Sequence, residues 1–261
     1  MPVCSISNRL SNKVAIITGA GAGIGEAIAL RFAEEGAAVI LADLNVSHAQ
    51  SVADRITASG GRAAALAADI SDEAQARSIS EAAVKEFGGV DIVVNNAADF
   101  TTFGVEDATP EHWRRVLGVN VIGTALVSKH AIPHIKKRGR GSIVNIASMS
   151  GIIAQPNFAT YNSSKGAVLT MTRCMALDLA PFKIRVNSVC PGCIYTSATE
   201  REWIRLGETK EQWSARQAPL HMLNRVGEAV EVANAVLFLA SEEASFITAA
   251  ELLVDGGYIA K

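Results

Sequence analysis

Short apolar runs and amphipathic stretches alternate along the whole chain. "KVAIIT" (13–18), "AVILAD" (38–43), "RAAALAAD" (62–69), "VDIVVNN" (90–96), "GSIVNIAS" (141–148), "IRVNSVCPG" (184–192) and "ELLVDGG" (251–257) have strand length and near-continuous hydrophobicity, the pattern of strands buried on both faces. Between them, 72–87, 109–136 and 160–180 space their apolar residues three and four apart, which gives a helix one apolar face. Seven strands with intervening helices predict an α/β fold, a doubly wound and mostly parallel seven-stranded sheet with right-handed crossovers and helices on both faces. No Pro/Ser-rich linker, repeat or low-complexity stretch divides the chain, so residues 1–261 read as a single domain. The least regular piece, 195–225, lies between the sixth strand and the last long helix, where a long excursion suits a lid or binding loop.

Composition and charge sharpen this picture. Hydrophobic residues make up 49% of the 261 but aromatics only 5%, so the core is built from Val, Ile, Leu and Ala, as parallel strands require. A net charge of -2 gives no basic footprint for nucleic acid. The one basic run, Lys136 to Arg140, closes a helical pattern, where cations complement the helix dipole. The N-terminus has no secretory h-region, and no window approaches membrane-span length, so no membrane partner and a cytoplasmic location are expected. The cysteines are Cys4, Cys174, Cys190 and Cys193; "CPGC" (190–193) lacks the second Cys/His pair that a metal site needs, so no metal is expected.

Chemistry concentrates in two short stretches. "TGAGAGIG" (18–25) follows the first strand and opens the first helix; its glycines let backbone N–H groups approach a pyrophosphate at a helix N-terminus, the Rossmann-type arrangement. Asp43 ends the second strand, 18 residues after Gly25, where a carboxylate accepts hydrogen bonds from an adenosine ribose and repels a 2′-phosphate. Ala22 offers no cation to that phosphate, so the cofactor reading is NAD rather than NADP. In "TYNSSKGA" (160–167), Tyr161 and Lys165 are four apart and share a helix face. An ammonium beside a phenol, whose ordinary pKa is about 10, lowers that value and equips it for proton transfer.

"TGAGAGIG", "NNAA" (95–98), Asn120 in "GVNVIG", Ser148 in "NIASMSG", "YNSSK" thirteen residues after that serine, and "CPGCIYT" occur in this order. Together they resemble the short-chain dehydrogenase/reductase family over residues 11–257. The resemblance implies hydride transfer between a secondary alcohol or ketone and NAD. It implies a catalytic tetrad of Asn120, Ser148, Tyr161 and Lys165. Tyr161 is then the general acid/base, and Lys165 depresses its pKa and holds the nicotinamide ribose. Ser148 orients the substrate oxygen, with Ser150 as its rival by position, and Asn120 holds a water that extends the proton relay. Cofactor contacts carried over by position are Gly19, Gly23, Ile24, Gly25, Asp43, Asp69, Ile70, Asn96, Tyr161, Lys165, Gly192, Ile194 and Thr196. Residues 11–150 are then mainly the cofactor half, and 151–261 carry the catalytic helix, lid and last strand. A homotetramer or homodimer through helices at 105–136 and 160–180 and the C-terminal strand is also implied. Ala98 departs from the family's usual glycine in the "NNAA" motif and bears on substrate placement.

The substrate wall is expected from 99–104, 151–158 and 195–225. These hold Asp99, Thr101, Thr102, Gln155, Asn157, Arg201, Arg205, Arg216 and His221, with Trp203 and Trp213 as apolar cover. The mixture favours a small, polar secondary alcohol or ketone, such as a polyol, a sugar derivative or a hydroxy acid, over a steroid or long acyl chain. Ser148, Gln155, Tyr161 and Arg216 are the candidate substrate contacts. Two alternatives stand beside this reading: a 3-oxoacyl thioester or steroid-type reductase, which Asp43 and Ala22 weigh against, and an idle NAD-binding sensor, which the intact tetrad weighs against.

Overall fold

The computed structural model describes residues 8–261; Cys4 and the first part of the N-terminal stretch read for targeting lie outside them. All seven apolar runs are strands of one sheet: β1 (Val14–Thr18), β2 (Ala38–Asp43), β3 (Arg62–Ala67), β4 (Ile92–Asn95), β5 (Gly141–Ile146), β6 (Ile184–Pro191) and, after two short strands described below, β9 (Glu251–Val254). Their order is β3-β2-β1-β4-β5-β6-β9, and every neighbouring pair is parallel. All strand C-termini therefore lie along one edge, and the chain reverses its winding between β1 and β4, where such sheets bind ligands.

Alternate residues of β1 explain the two-sided burial. Ala15 and Ile17 join one apolar core with α1 (Gly23–Glu34), α2 (Val46–Ala58) and α9 (Ala229–Ala240). Val14 and Ile16 join a second with α3 (Glu73–Phe87), α5 (Thr124–Arg138) and α6 (Ala159–Leu179). A strand clamped between two helix layers has no solvent face, which is why these segments read as continuous apolar runs.

The stretch expected as one helix over 109–136 is three pieces: α4 (Pro110–Leu117), a π-helical segment Gly118–Gly123, and α5. The continuous run Pro110–Arg138 is also long and apolar enough, by length and composition, to cross a membrane, which corrects the expectation that no window approaches that length. Here its apolar residues serve the core: Val127, Ala131 and Ile135 are buried with the sheet and α3. Its basic end, Lys136 to Arg138, precedes Gly139 in the left-handed conformation (φ 80°) with its N–H on the Lys136 carbonyl, a capped helix terminus.

The 195–225 excursion folds into α7 (Ser197–Arg205), α8 (Lys210–Gln217) and a 3₁₀ turn, Ala218–Leu220. Two-residue strands, β7 (Ile194–Tyr195) and β8 (Gly227–Glu228), pair in parallel and tie its ends. Trp213 is fully buried and packs 5.3 Å from Trp203 and 6.0 Å from Tyr195, centroid to centroid. The two tryptophans expected to cover the substrate instead form the lid's own small core.

Candidate active site

A cleft of about 1500 Å³ opens along the C-terminal edge of the sheet, between the glycine turn, the ends of β2, β4 and β5, α6 and the lid. At its cofactor side, Gly19 has φ 63°, and a Cβ there would lie 2.8 Å from the Ala97 Cα; a Cβ on Gly25 would lie 2.0 Å from the Gly19 carbonyl oxygen. Only glycine allows α1 to start this close to the strand ends, with its N-terminal N–H groups turned to the cleft. The Asn96 Nδ2 donates to the carbonyls of Thr18 and Gly19, both at 3.0 Å, so the end of β4 holds the turn in place. At the far rim, the Asp43 carboxylate accepts from the Gly21 N–H (2.8 Å) and the Asn45 N–H (2.9 Å). Asp69 and Ile70 line the same end, and Gly23, Ile24, Gly192, Ile194 and Thr196 line the middle. Gly25 packs behind the turn and does not line the cleft. A cradle that a Cβ would fill, an acceptor carboxylate at one end and a lysine at the other fit a dinucleotide.

The chemistry sits where α6 crosses the ends of β5 and β6. Tyr161 and Lys165 are 8% and 3% exposed, Ser148 is 8% exposed, and all three line the cleft. Ser148 caps the short turn Met149–Gly151, its Oγ accepting from the Ser150 N–H at 3.1 Å. The Lys165 Nζ donates to the Ile146 carbonyl at 2.8 Å and lies 5.5 Å from the centre of the Tyr161 ring. Burial pushes the Tyr161 phenol well above its ordinary value, opposed by a hydrogen bond from Ser148; burial pushes the Lys165 ammonium down to about 8. Both groups are desolvated, and the Ser148 hydroxyl is a neighbour that favours the phenolate.

Asn120 lies in the π-helical segment, 1% exposed and behind the cleft. Its Oδ1 accepts from the Asp99 N–H (2.7 Å), and its Nδ2 donates to the Asp99 carbonyl (3.0 Å) and the Ser164 Oγ (2.9 Å). Ser164 in turn donates to the Tyr161 carbonyl at 2.7 Å. A single amide thus fixes both the 97–104 segment and the first turn of α6, which offsets its poor helix propensity.

On the substrate side, Phe100 meets Tyr161 edge-on at 4.6 Å, and Phe158 stands 5.9 Å from Phe100 and 6.4 Å from Tyr161. Gln155 lines the cleft with its Oε1 accepting from the Ser150 Oγ at 2.6 Å, so Ser150 orients a neighbour while Ser148 faces the phenol. Arg216 lines the cleft, but its Nε (3.1 Å) and Nη2 (2.9 Å) both donate to Glu208.

A family model described as enoyl-(acyl carrier protein) reductase matches residues 19–259. The chain is 41% identical over 251 residues to the meso-2,3-butanediol dehydrogenase of Serratia marcescens, covering 95% of each chain. It is 39% identical over 257 residues to the cyclohexanol dehydrogenase of Acinetobacter sp. strain SE19, covering 98% of each. The crystal structure of a short-chain type dehydrogenase/reductase from Mycobacterium marinum matches it with a TM-score of 0.90 at 37% identity, over 97% of each chain. The chain belongs to the short-chain dehydrogenase/reductase family. It is an oxidoreductase of the alcohol–ketone class, and its cofactor is a nicotinamide.

Within this family frame, the structure brings Ser148, Tyr161, Lys165, Asp43, Gln155 and Arg216 into one cleft and sets Asn120 and Gly25 behind it. Ala98, where the family usually has glycine, lines the cleft beside Phe100. Of the other wall candidates, Asp99 and Arg201 line it, whereas Thr101, Thr102, Asn157, Arg205 and His221 do not. Phe100 and Phe158 lie inside two of the three segments named as wall, but no periodic signal marks an aromatic in a loop. Among the described residues no metal-holding cluster exists, and burial pushes the Cys190 and Cys193 thiols up to about 11 and about 12, leaving them as uncharged thiols.

Proposed function

We propose that the protein is an NAD-dependent dehydrogenase of small secondary alcohols, with Tyr161 as general acid/base. The observation that carries this reading is the buried Tyr161, Lys165 and Ser148 at one end of a cleft whose other end is closed by the Asp43 carboxylate. Gly19, Gly23, Ile24, Asp69, Ile70, Asn96, Ile194 and Thr196 hold the dinucleotide between them, with Gly25 and Gly192 shaping the backbone. Asp43 takes the adenosine ribose hydroxyls and disfavours a 2′-phosphate. Bound there, the nicotinamide supplies the hydride acceptor and, when oxidised, a positive charge that favours the phenolate.

The protein's own part is proton transfer and placement. The substrate oxygen sits between the Ser148 Oγ and the Tyr161 Oη, and Tyr161 takes the hydroxyl proton in oxidation or returns it in ketone reduction. Lys165 bonds the nicotinamide ribose and connects the phenol to solvent, and Asn120 keeps α6 and the 97–104 segment in register. Phe100 and Phe158 take the carbon skeleton, while the Gln155 amide, fixed by Ser150, addresses a second oxygen. This mix suits a small ring or a vicinal diol, and cyclohexanol and meso-2,3-butanediol, for which the two relatives are named, are of those kinds. The description of the matching family model favours a second reading, reduction of the double bond of an enoyl thioester; Asp43 stands against the phosphorylated cofactor that a 3-oxoacyl thioester reductase would favour.

Calorimetric titration with NAD and NADP, followed by absorbance at the NADH band over cyclic alcohols, diols, polyols, hydroxy acids, an enoyl thioester and a 3-oxoacyl thioester, tests these readings. Preferred NAD binding with turnover of an alcohol supports the first; preferred turnover of either thioester replaces it with reduction of that acyl chain. Binding without any turnover favours an idle NAD sensor.

The single-domain organisation, with 195–225 as a substrate-side lid, belongs to the same proposal, as does a cytoplasmic location, with which the unpaired Cys174, Cys190 and Cys193 agree. A homotetramer or homodimer is favoured by Ile122 and Leu177, 54% and 78% exposed on the helices expected to pair. Light scattering that reads a monomer at micromolar concentration overturns that part.

A further inference from the structure

We propose that His221 is a positioning residue for the nicotinamide end of the cleft: its uncharged imidazole ties the Cys193–Ile194 turn to the last turn of the lid. The inference rests on the reading that a nicotinamide lies against Gly192–Thr196. His221 is 2% exposed and does not line the cleft, so it is no substrate contact. Its Nε2 accepts from the Cys193 N–H at 3.3 Å, and its Nδ1 lies 3.0 Å from the Gln217 carbonyl. A carbonyl only accepts and an N–H only donates, so these partners together select the neutral tautomer with hydrogen on Nδ1.

The two partners lie on either side of the site. Gln217 ends α8 and lines the cleft, as do Cys193 and Ile194. Cys193 is held at both of its main-chain polar groups, its N–H donating to His221 and its carbonyl accepting from the Gly227 N–H at 2.9 Å. Just before it, the Gly192 N–H donates to the Val254 carbonyl at 3.0 Å. The placement of Ile194 toward the cofactor thus depends on a neighbouring N–H that has no partner other than the imidazole among the described residues. Tyr258, which also lines the cleft, packs edge-on against the same ring at 5.2 Å. One side chain therefore joins the turn, the lid and the C-terminal residues.

The test compares two replacements that each keep half of the imidazole. His221→Gln reaches far enough to keep an acceptor for the Cys193 N–H, whereas His221→Asn keeps a donor near the Gln217 carbonyl and loses that acceptor. Calorimetry measures NADH and ADP-ribose, which shares the adenosine end but lacks the nicotinamide, with thermal melting of each unliganded variant as the folding control. The expected result is a loss of NADH affinity of about tenfold in His221→Asn, unchanged ADP-ribose affinity, and recovery to within about threefold of wild type in His221→Gln. Unchanged NADH binding in His221→Asn, a parallel loss of ADP-ribose, or equal loss in both variants overturns the proposal. Absence of binding by the wild type overturns the cofactor reading instead, a distinct outcome. If His221→Asn does not fold, nitrogen NMR of labelled histidine in the wild type decides: the unprotonated His221 Nε2 resonance moves with NADH and stays with ADP-ribose. A resonance that responds equally to both, or to neither, contradicts the proposal.

Discussion

The floor of the cleft and its lid are built from different kinds of bond. In the floor, Asn120, Ser148, Tyr161 and Lys165 are all under a tenth exposed, and most of their partners are main-chain groups: the Asp99 peptide, the Ser150 N–H and the Ile146 carbonyl. In the lid, Arg216 pairs with Glu208 near the surface and Trp213 packs on Trp203 and Tyr195. Main-chain groups at the ends of parallel strands occupy the same places whenever this sheet forms, so side chains aimed at them keep their geometry. Side-chain partners have no such anchor. The proposed chemistry therefore rests on the main-chain-anchored floor, while the lid's geometry depends on its own side chains.

The largest effect that sharpens this contrast is expected in Lys165→Met. Turnover should fall by about 10²–10⁴-fold, the usual scale for losing a group that supports proton transfer. The same change should stabilise the fold. The Lys165 ammonium is pushed down to about 8 from a reference value of 10.5, so the unfolded chain binds the proton more strongly. Its burial penalty is fully present below pH 8 and fades as the pH rises toward the unfolded value. The penalty is on the order of 3 kcal/mol, so melting at neutral pH should show the variant several degrees more stable, with the difference shrinking in alkali. A variant less stable at neutral pH breaks the account of a desolvated ammonium in the floor.

Asp43→Ala comes next. Removing an acceptor of charge-assisted hydrogen bonds should weaken NAD binding by about 1.5–3 kcal/mol and narrow the gap to NADP, read by calorimetry. Phe100→Ala should then lower kcat/KM for an apolar secondary alcohol by roughly tenfold, mainly through KM, because the ring faces substrate and not cofactor. Arg216→Ala is the smallest: an exposed ion pair contributes about 0–1 kcal/mol, so steady-state kinetics with a neutral alcohol should change by less than about threefold. A large loss there moves Arg216 from the lid's own structure into substrate binding.

Legibility in the sequence follows the same division. The strands could be read because burial on both faces leaves unbroken apolar runs, and the glycine turn, Asp43 and the Tyr161/Lys165 pair because their spacing is a direct image of geometry. The break between α4 and α5 was foreshadowed only by Asn120, since one π-helical segment leaves the apolar spacing almost unchanged. The apolar window at 110–138 is a partly buried run on one face of the sheet, whose sheet-facing residues bring its mean hydropathy up to that of a membrane span. Phe100, Phe158, the inward turn of Trp213 and the bonds of His221 arise from contacts between loops distant in sequence, which no local period records. Burial at the catalytic pair escaped the sequence for a related reason: spacing shows that a lysine is near Tyr161, but not that both groups are cut off from water.

The most direct test is the turnover of a saturating secondary alcohol with NAD, measured from about pH 6 to about pH 10, for wild type and Tyr161→Phe, with NADH binding measured alongside. The account predicts that wild-type oxidation rises with pH, because burial keeps the phenol protonated at neutrality, and that the variant binds NADH normally but loses about 10²–10⁴-fold in turnover. A variant that retains wild-type turnover and the same rise with pH contradicts the assignment of Tyr161 as the acid/base.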